Sequence, residues 1–162
     1  MINPTVAALL NAHIPAELKA HHVYLALADA ANRAGMFGCE AWLAQQSAEE
    51  REHMLRMLNF LRDFDQPYTI PDADAITPTA FDPDAAFTAA LELERAVTAE
   101  IGQIAQEALA HRDFQSYEAM AWFVREQTDS ERVLGDILAR WGAASGNALE
   151  FDEWMAELVG GG

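Results

Sequence analysis

Glu50 and His53 stand three residues apart in the stretch Ser47-Ala48-Glu49-Glu50-Arg51-Glu52-His53-Met54. On a helix such residues are neighbours, so a carboxylate and an imidazole can grip one metal ion from the same side. E-x-x-H is common in surface charge and means little alone. Here it lies between Trp42, Leu43 and Met57, Phe60, where an apolar face is expected. What the pair can do therefore depends on what the other elements bring to it.

Those elements are helices. The chain has 162 residues, 51% of them hydrophobic, with nine Gly and six Pro, which fits one folded domain spanning 1–162 with a sizeable core. Ala, Leu and Glu abound and β-branched runs are nearly absent, so the fold class is all-α. The expected helices cover about 4–33, 39–65, 83–111, 114–142 and 147–158. Asn3-Pro4 and Asp82-Pro83 each read as a cap followed by a first-turn proline, and Asp113 reads as the cap of the fourth helix. Gly35 and Gly38 are expected to end the first helix and release the second. Residues 66–81, with Pro67, Pro71 and Pro78, break any helix. Fully extended they reach roughly 50 Å, against roughly 40 Å for a helix of nearly thirty residues. They can cross a four-helix bundle whose second and third helices run parallel.

Each long helix carries a polar group in the middle of its apolar stripe. The first reads Val6, Leu10, His13, Glu17, His21, Tyr24, Ala28; the second places Glu50 and His53 between Gln46 and Met57; the third places Glu94 between Leu91 and Val97; the fourth places Gln127 and Ser130 between Phe123 and Leu134. In a bundle with one crossover these midpoints meet. Buried ionised carboxylates cost several kcal/mol each unless compensated, and no Lys or Arg lies at mid-stripe. A bound cation is the economical compensation. Oxygen-rich ligands with an imidazole suit iron, manganese or zinc, and a bridging carboxylate suits two ions. Glu50 is the natural bridge, Glu17 and His53 complete one ion's ligands, Glu94 serves the other, and Gln127 sits near the second ion or its water. Tyr24 can hydrogen-bond a ligand or supply an electron, or can simply be a core tyrosine. His13, His21, His22 and His111 read as surface or satisfied interior residues.

The formal net charge of -16 opposes nucleic acid and anionic membranes and attracts cations. No stretch of about 18 uncharged apolar residues offers a membrane span. Cys39 is the single cysteine, and Met1-Ile2-Asn3-Pro4-Thr5 lacks the basic and apolar regions of a signal peptide, so a cytoplasmic location is expected.

With these residues placed, the sequence resembles the non-haem bacterial ferritins over nearly its whole length. The matching positions are Glu17 and Tyr24, then Glu49-Glu50-Arg51-Glu52-His53, Glu94-Arg95 and Trp122-Phe123-Val124-Arg125-Glu126-Gln127, in that order, with the short fifth helix. The resemblance implies a ferritin-like four-helix bundle with one long crossover between helices 2 and 3. It further implies a homo-oligomeric cage of twenty-four subunits and a diiron ferroxidase centre that oxidises Fe(II) with dioxygen or hydrogen peroxide. Fe(III) mineral would be stored inside. In these terms Glu50, Tyr24 and Gln127 are the catalytic residues, and Glu17, Glu50, His53, Glu94 and Gln127 the metal ligands.

Departures from the family pattern carry information too. The haem-binding relatives have a second E-x-x-H on the fourth helix and a Met after the bridging Glu, where this chain has Gln127-Thr128-Asp129-Ser130 and Arg51; no haem is expected. A possible third iron site comprises Glu49, Glu126 and Asp129, with Ser130 where many bacterial ferritins have a carboxylate. Tyr117 and Met120 replace the carboxylates of a three-fold iron channel, so uptake is expected to use another route, through Asp113 or Glu118. The alternatives are a rubrerythrin-like diiron peroxidase, which would bring a second E-x-x-H and rubredoxin-type cysteines, and a DNA-protecting mini-ferritin-like cage, which would lack the fifth helix. A bundle whose glutamates serve only assembly would bind no metal.

Overall fold

In the computed structural model, which describes residues 2–160, five helices follow one another: α1 (Pro4–Arg33), α2 (Phe37–Asp63), α3 (Pro83–Ala110), α4 (Phe114–Ala144) and α5 (Ala148–Gly160). Met1, Gly161 and Gly162 lie outside the described residues. The start signals act locally. The Asn3 side chain accepts from the Thr5 amide (2.9 Å) ahead of Pro4, and Asp82 accepts from Ala85 (2.8 Å) ahead of Pro83. Asp113 does more than cap α4. It accepts from the Ser116 amide (3.1 Å) and hydroxyl (2.8 Å) and also from the Asn3 amide (2.7 Å), which fastens the starts of α1 and α4 together. Its carboxylate is thereby committed, so the expected uptake role of Asp113 is not supported by its surroundings.

The largest boundary difference is at α2. Gly38 was expected to break the chain, yet α2 begins at Phe37 and includes it. The break is made by Gly35, whose φ of 75° suits glycine at a helix C-terminus. Gly38 is needed for a different reason. A Cβ there would stand 2.0 Å from the Asp152 carbonyl oxygen and 2.8 Å from the Ala156 nitrogen, so only glycine lets α5 lie against α2. Met36 offers α2 no side-chain cap; Asp152 supplies one from α5, accepting from the Gly38 (3.0 Å) and Cys39 (2.8 Å) amides. Similarly, α4 runs through Gly142 and stops at Ser145 and Gly146, which have positive φ.

Packing pairs α1 with α2 and α3 with α4, joins the pairs through α1 and α3, and sets α5 against α2 and α4. Two apolar clusters fill the interior. One includes Leu10, Ile14, Met57, Leu61, Val97, Ile101, Met120 and Phe123. The other includes Tyr24, Cys39, Trp42, Phe87, Ala90, Leu134, Ile137, Phe151 and Met155. Along α1 and α4 the chain passes from the first cluster to the second, and along α2 and α3 from the second to the first. Helices α2 and α3 are therefore parallel, and residues 64–82 cross the length of the bundle to connect them. Between the clusters every long helix contributes a buried polar residue: Glu17, Glu50 with His53, Glu94 and Gln127. Among the described residues no helix is long and apolar enough to cross a membrane.

Candidate metal centre

Glu17 on α1 and Glu50 and His53 on α2 each turn a ligand atom inward, all within 4.8 Å of one another. His53 Nδ1 lies 3.3 Å from Glu50 Oε2 and 3.9 Å from Glu17 Oε2. None of these three atoms has a hydrogen-bond partner among the described residues, although all are shielded from solvent. Buried polar atoms are normally satisfied, and three unsatisfied atoms that converge on one point form a cradle for a cation. The donor set of two carboxylates and one imidazole suits iron, manganese or zinc.

The other half of the layer is closed. Tyr24 donates its hydroxyl to Glu94 Oε1 (2.6 Å), and Gln127 donates from Nε2 to Glu94 Oε2 (2.8 Å) and, at 3.3 Å, to the Glu94 carbonyl. Both oxygens of Glu94 are therefore engaged. Tyr24 and Gln127, singled out by spacing, meet here as partners of the same carboxylate.

Electrostatics follow from crowding three carboxylates in a dry layer. Burial, reinforced by the charges of Glu94 and Glu17 and opposed by His53, pushes the Glu50 carboxyl from 4.5 up to about 8. Burial likewise raises Glu94 against the opposing hydrogen bonds from Tyr24 and Gln127. For His53 burial works against the charged ring, yet Glu50 and Glu17 outweigh it and hold the imidazole above its ordinary value. Burial, with Glu94 beside it, lifts the Tyr24 phenol well above 10, so Tyr24 is a donor at neutral pH.

Spacing alone did not identify His13 and Glu100 as part of this layer. His13 is buried; its Nε2 lies 2.9 Å from Glu17 Oε1 and its Nδ1 2.6 Å from Glu100 Oε2. Burial opposes charge on its ring, but the two carboxylates hold its pKa above the ordinary histidine value. Where no Lys or Arg lies at mid-stripe, this histidine is the group that shares a proton with two carboxylates. One signal was available, because His13 stands four residues before Glu17 and so faces it on the helix. His21 serves packing: its Nδ1 donates to the Ser47 carbonyl (2.7 Å), tying α1 to α2.

On the far side of His53 the wall is aromatic. Trp122 and Phe123 meet its ring edge-on at 5.4 and 5.9 Å between centroids, and the Arg56 guanidinium sits 3.9 Å above the Trp122 ring. The residues expected to form a third site have other partners. Exposed Glu49 accepts from Gln45 (2.9 Å) and Gln46 (2.7 Å), and exposed Asp129 faces Arg132 at 3.4 Å; Glu126 is half-buried.

Comparison with known proteins bears on this arrangement. The family model described as "Ferritin-like domain" matches residues 7–143, a span that includes every residue of the buried polar layer. The chain belongs to the ferritin family. Ferritin BfrB of Mycobacterium tuberculosis is 27% identical over 152 residues, covering 94% of this chain and 84% of that protein. The bacterial non-heme ferritin of Escherichia coli is 24% identical over 153 residues, with 93% of each covered. Among solved structures, the open pore ferritin of the archaeon Archaeoglobus fulgidus superposes with a TM-score of 0.90 at 26% identity, covering 96% of this chain and 98% of that one. This ferritin thus has the four-helix bundle with a short fifth helix that its spacing implied, and its Glu17, Glu50 and His53 are compatible with metal binding.

Proposed function

We propose that this chain stores and detoxifies iron, oxidising Fe(II) at an intrasubunit two-metal centre and holding Fe(III) mineral within a homo-oligomeric cage of twenty-four chains. The observation that carries this reading is the trio of unpartnered, buried atoms, Glu17 Oε2, Glu50 Oε2 and His53 Nδ1, inside a ferritin fold. Fe(II) is the substrate, and dioxygen or hydrogen peroxide takes up its electrons.

The chain's own residues supply binding, charge and proton handling. Glu17, Glu50 and His53 form the readier position, because no hydrogen bond must break to free their ligand atoms. Glu94 serves the second position, and there a cation competes with the Tyr24 and Gln127 hydrogen bonds. Glu50 connects the two, and its raised pKa means that a cation arriving at neutral pH displaces a proton from it. Tyr24 holds Glu94 Oε1 while Gln127 holds Oε2, which fixes the carboxylate plane; Tyr24 is also the nearest phenol from which an electron could be drawn. A third ion at Glu49, Glu126 and Asp129 would have to draw Glu49 from two glutamines and Asp129 from Arg132, and it is assigned the weakest affinity.

The test is aerobic mixing of chelator-treated protein with Fe(II), following oxidation optically and particle mass by light scattering. Rapid oxidation and a soluble mineralised particle near the mass of twenty-four chains are expected. Glu50→Ala should abolish the fast phase. An unchanged initial rate in that variant overturns the site, and a particle near twelve chains overturns the assembly.

A further inference from the structure

Among the described residues, His13 is the one histidine whose two ring nitrogens both meet side-chain carboxylates, and neither carboxylate belongs to the E-x-x-H helix. Its ring is 1% exposed; Glu100, on α3, is 51% exposed. The Nε2 contact to Glu17 Oε1 is 2.9 Å and the Nδ1 contact to Glu100 Oε2 is 2.6 Å. A lone pair aimed at a metal is therefore not available on either nitrogen, so His13 is not itself a ligand. Its effect falls on Glu17. Oxygen Oε1 is taken by the imidazole, and the remaining oxygen, Oε2, is the one left without a partner and turned towards Glu50 and His53. Whichever of the three groups holds the shared proton, this division of the carboxylate is the same.

We propose that His13, braced by Glu100, is a positioning residue of the metal centre, holding Glu17 by Oε1 so that it meets a divalent cation through Oε2 alone. The assignment rests on the reading that Glu17, Glu50 and His53 bind metal. Its physical content is preorganisation. A glutamate has three rotatable bonds, and without His13 it would have to be ordered when the cation arrives; groups hydrogen-bonded to metal ligands typically alter affinity about 10- to 100-fold. Glu100 matters because the ring must be held from behind. Its carboxylate comes from α3, the helix of Glu94, so the same contact ties the two halves of the centre together.

The experiment uses the assembled, chelator-treated protein, with Zn(II) titrated by calorimetry and Co(II) followed by its visible absorption. In His13→Leu the tighter Zn(II) position should weaken by about 10-fold or more, and the Co(II) band should change intensity as Glu17 changes from one-oxygen to two-oxygen binding. His13→Gln keeps an amide donor for Oε1 and should return both signals most of the way. Glu100→Ala, a surface substitution that does not threaten folding, should produce a smaller loss in the same direction. If His13→Leu lowers only the unfolding temperature and leaves Zn(II) affinity and the Co(II) spectrum at wild-type values, His13 is merely structural and the proposal is overturned. Glu50→Ala separates the two levels. Loss of binding there with full binding in His13→Leu overturns this assignment alone, whereas wild-type binding in Glu50→Ala overturns the metal centre and this assignment with it.

Discussion

Replacing Glu50 by Gln should make the metal-free protein more stable while removing its ability to hold metal. In the folded chain burial and the neighbouring carboxylates push Glu50 from 4.5 up to about 8. The sign follows from proton binding. Between those two values the folded state holds a proton that the unfolded state has released, so stability falls as pH rises, by about 1.4 kcal/mol per pH unit for one group. At pH 7 the deficit is on the order of 3 kcal/mol, and it is smaller at pH 6. These are ceilings, because Glu17 and Glu94 share the repulsion and readjust when one partner becomes neutral. Glutamine keeps the shape and removes the deficit. Thermal unfolding of chelator-treated wild type and Glu50→Gln at pH 6 and pH 8 measures it, with about 2–4 °C expected per kcal/mol for a chain of this size. The variant should melt higher, by more at pH 8 than at pH 6. Adding Zn(II) should reverse the order, since only the wild type retains a full site. A Glu50→Gln protein that melts no higher than wild type at pH 8, or whose advantage shrinks as pH rises, refutes the crowded-carboxylate argument.

Three further outcomes are expected. Gly38→Ala places a Cβ 2.0 Å from α5 backbone, and backbone cannot swing aside as a side chain can; overpacking of about 1–3 kcal/mol should exceed the helix gain of about 1 kcal/mol, so its urea midpoint should fall and Trp154 fluorescence should report a displaced α5. Tyr24→Phe leaves Glu94 Oε1 without its donor, at a cost of about 1–3 kcal/mol in the metal-free protein, and, because the second Zn(II) no longer competes with that hydrogen bond, should tighten the second Zn(II) in a calorimetric titration more than the first. At acid pH the Asp113 link should fail: burial alone would raise this carboxyl, but the Asn3 and Ser116 donors hold it below 3.8. Its stabilisation is therefore complete above that value and lost as pH falls through the lower folded value. The gap in urea midpoint between wild type and Asp113→Ala should narrow steadily below pH 4; a constant gap would contradict it.

Particular residues show how far spacing carries. Glu17, Glu50, Glu94 and Gln127 could be read as the polar midpoint of four stripes because a helix repeats every 3.6 residues and because burying several carboxylates together demands an explanation. The crossover was legible for a similar reason, since prolines that forbid a helix leave only an extended path between two parallel ones. Gly38 was misread, because its role depends on Asp152 and Ala156, over a hundred residues away in the chain. His13 was visible on its stripe but had no evident partner beyond its own helix, since Glu100 meets it only once α1 and α3 pack.

What this sequence determined by itself is therefore periodic and local: five helices, the caps of α1, α3 and α4, the order in which the helices connect, and the height at which each long one carries its polar group. Those properties depend on backbone geometry and on neighbours within a few residues. Tertiary structure alone decided which oxygen of each carboxylate is free. Glu17 gives Oε1 to His13, whose ring is held by Glu100 of α3, and keeps Oε2, while Glu94 gives up both to Tyr24 and Gln127. Hydrogen bonds are directional over a few tenths of an ångström, a precision that arises only when helices distant in sequence are packed together.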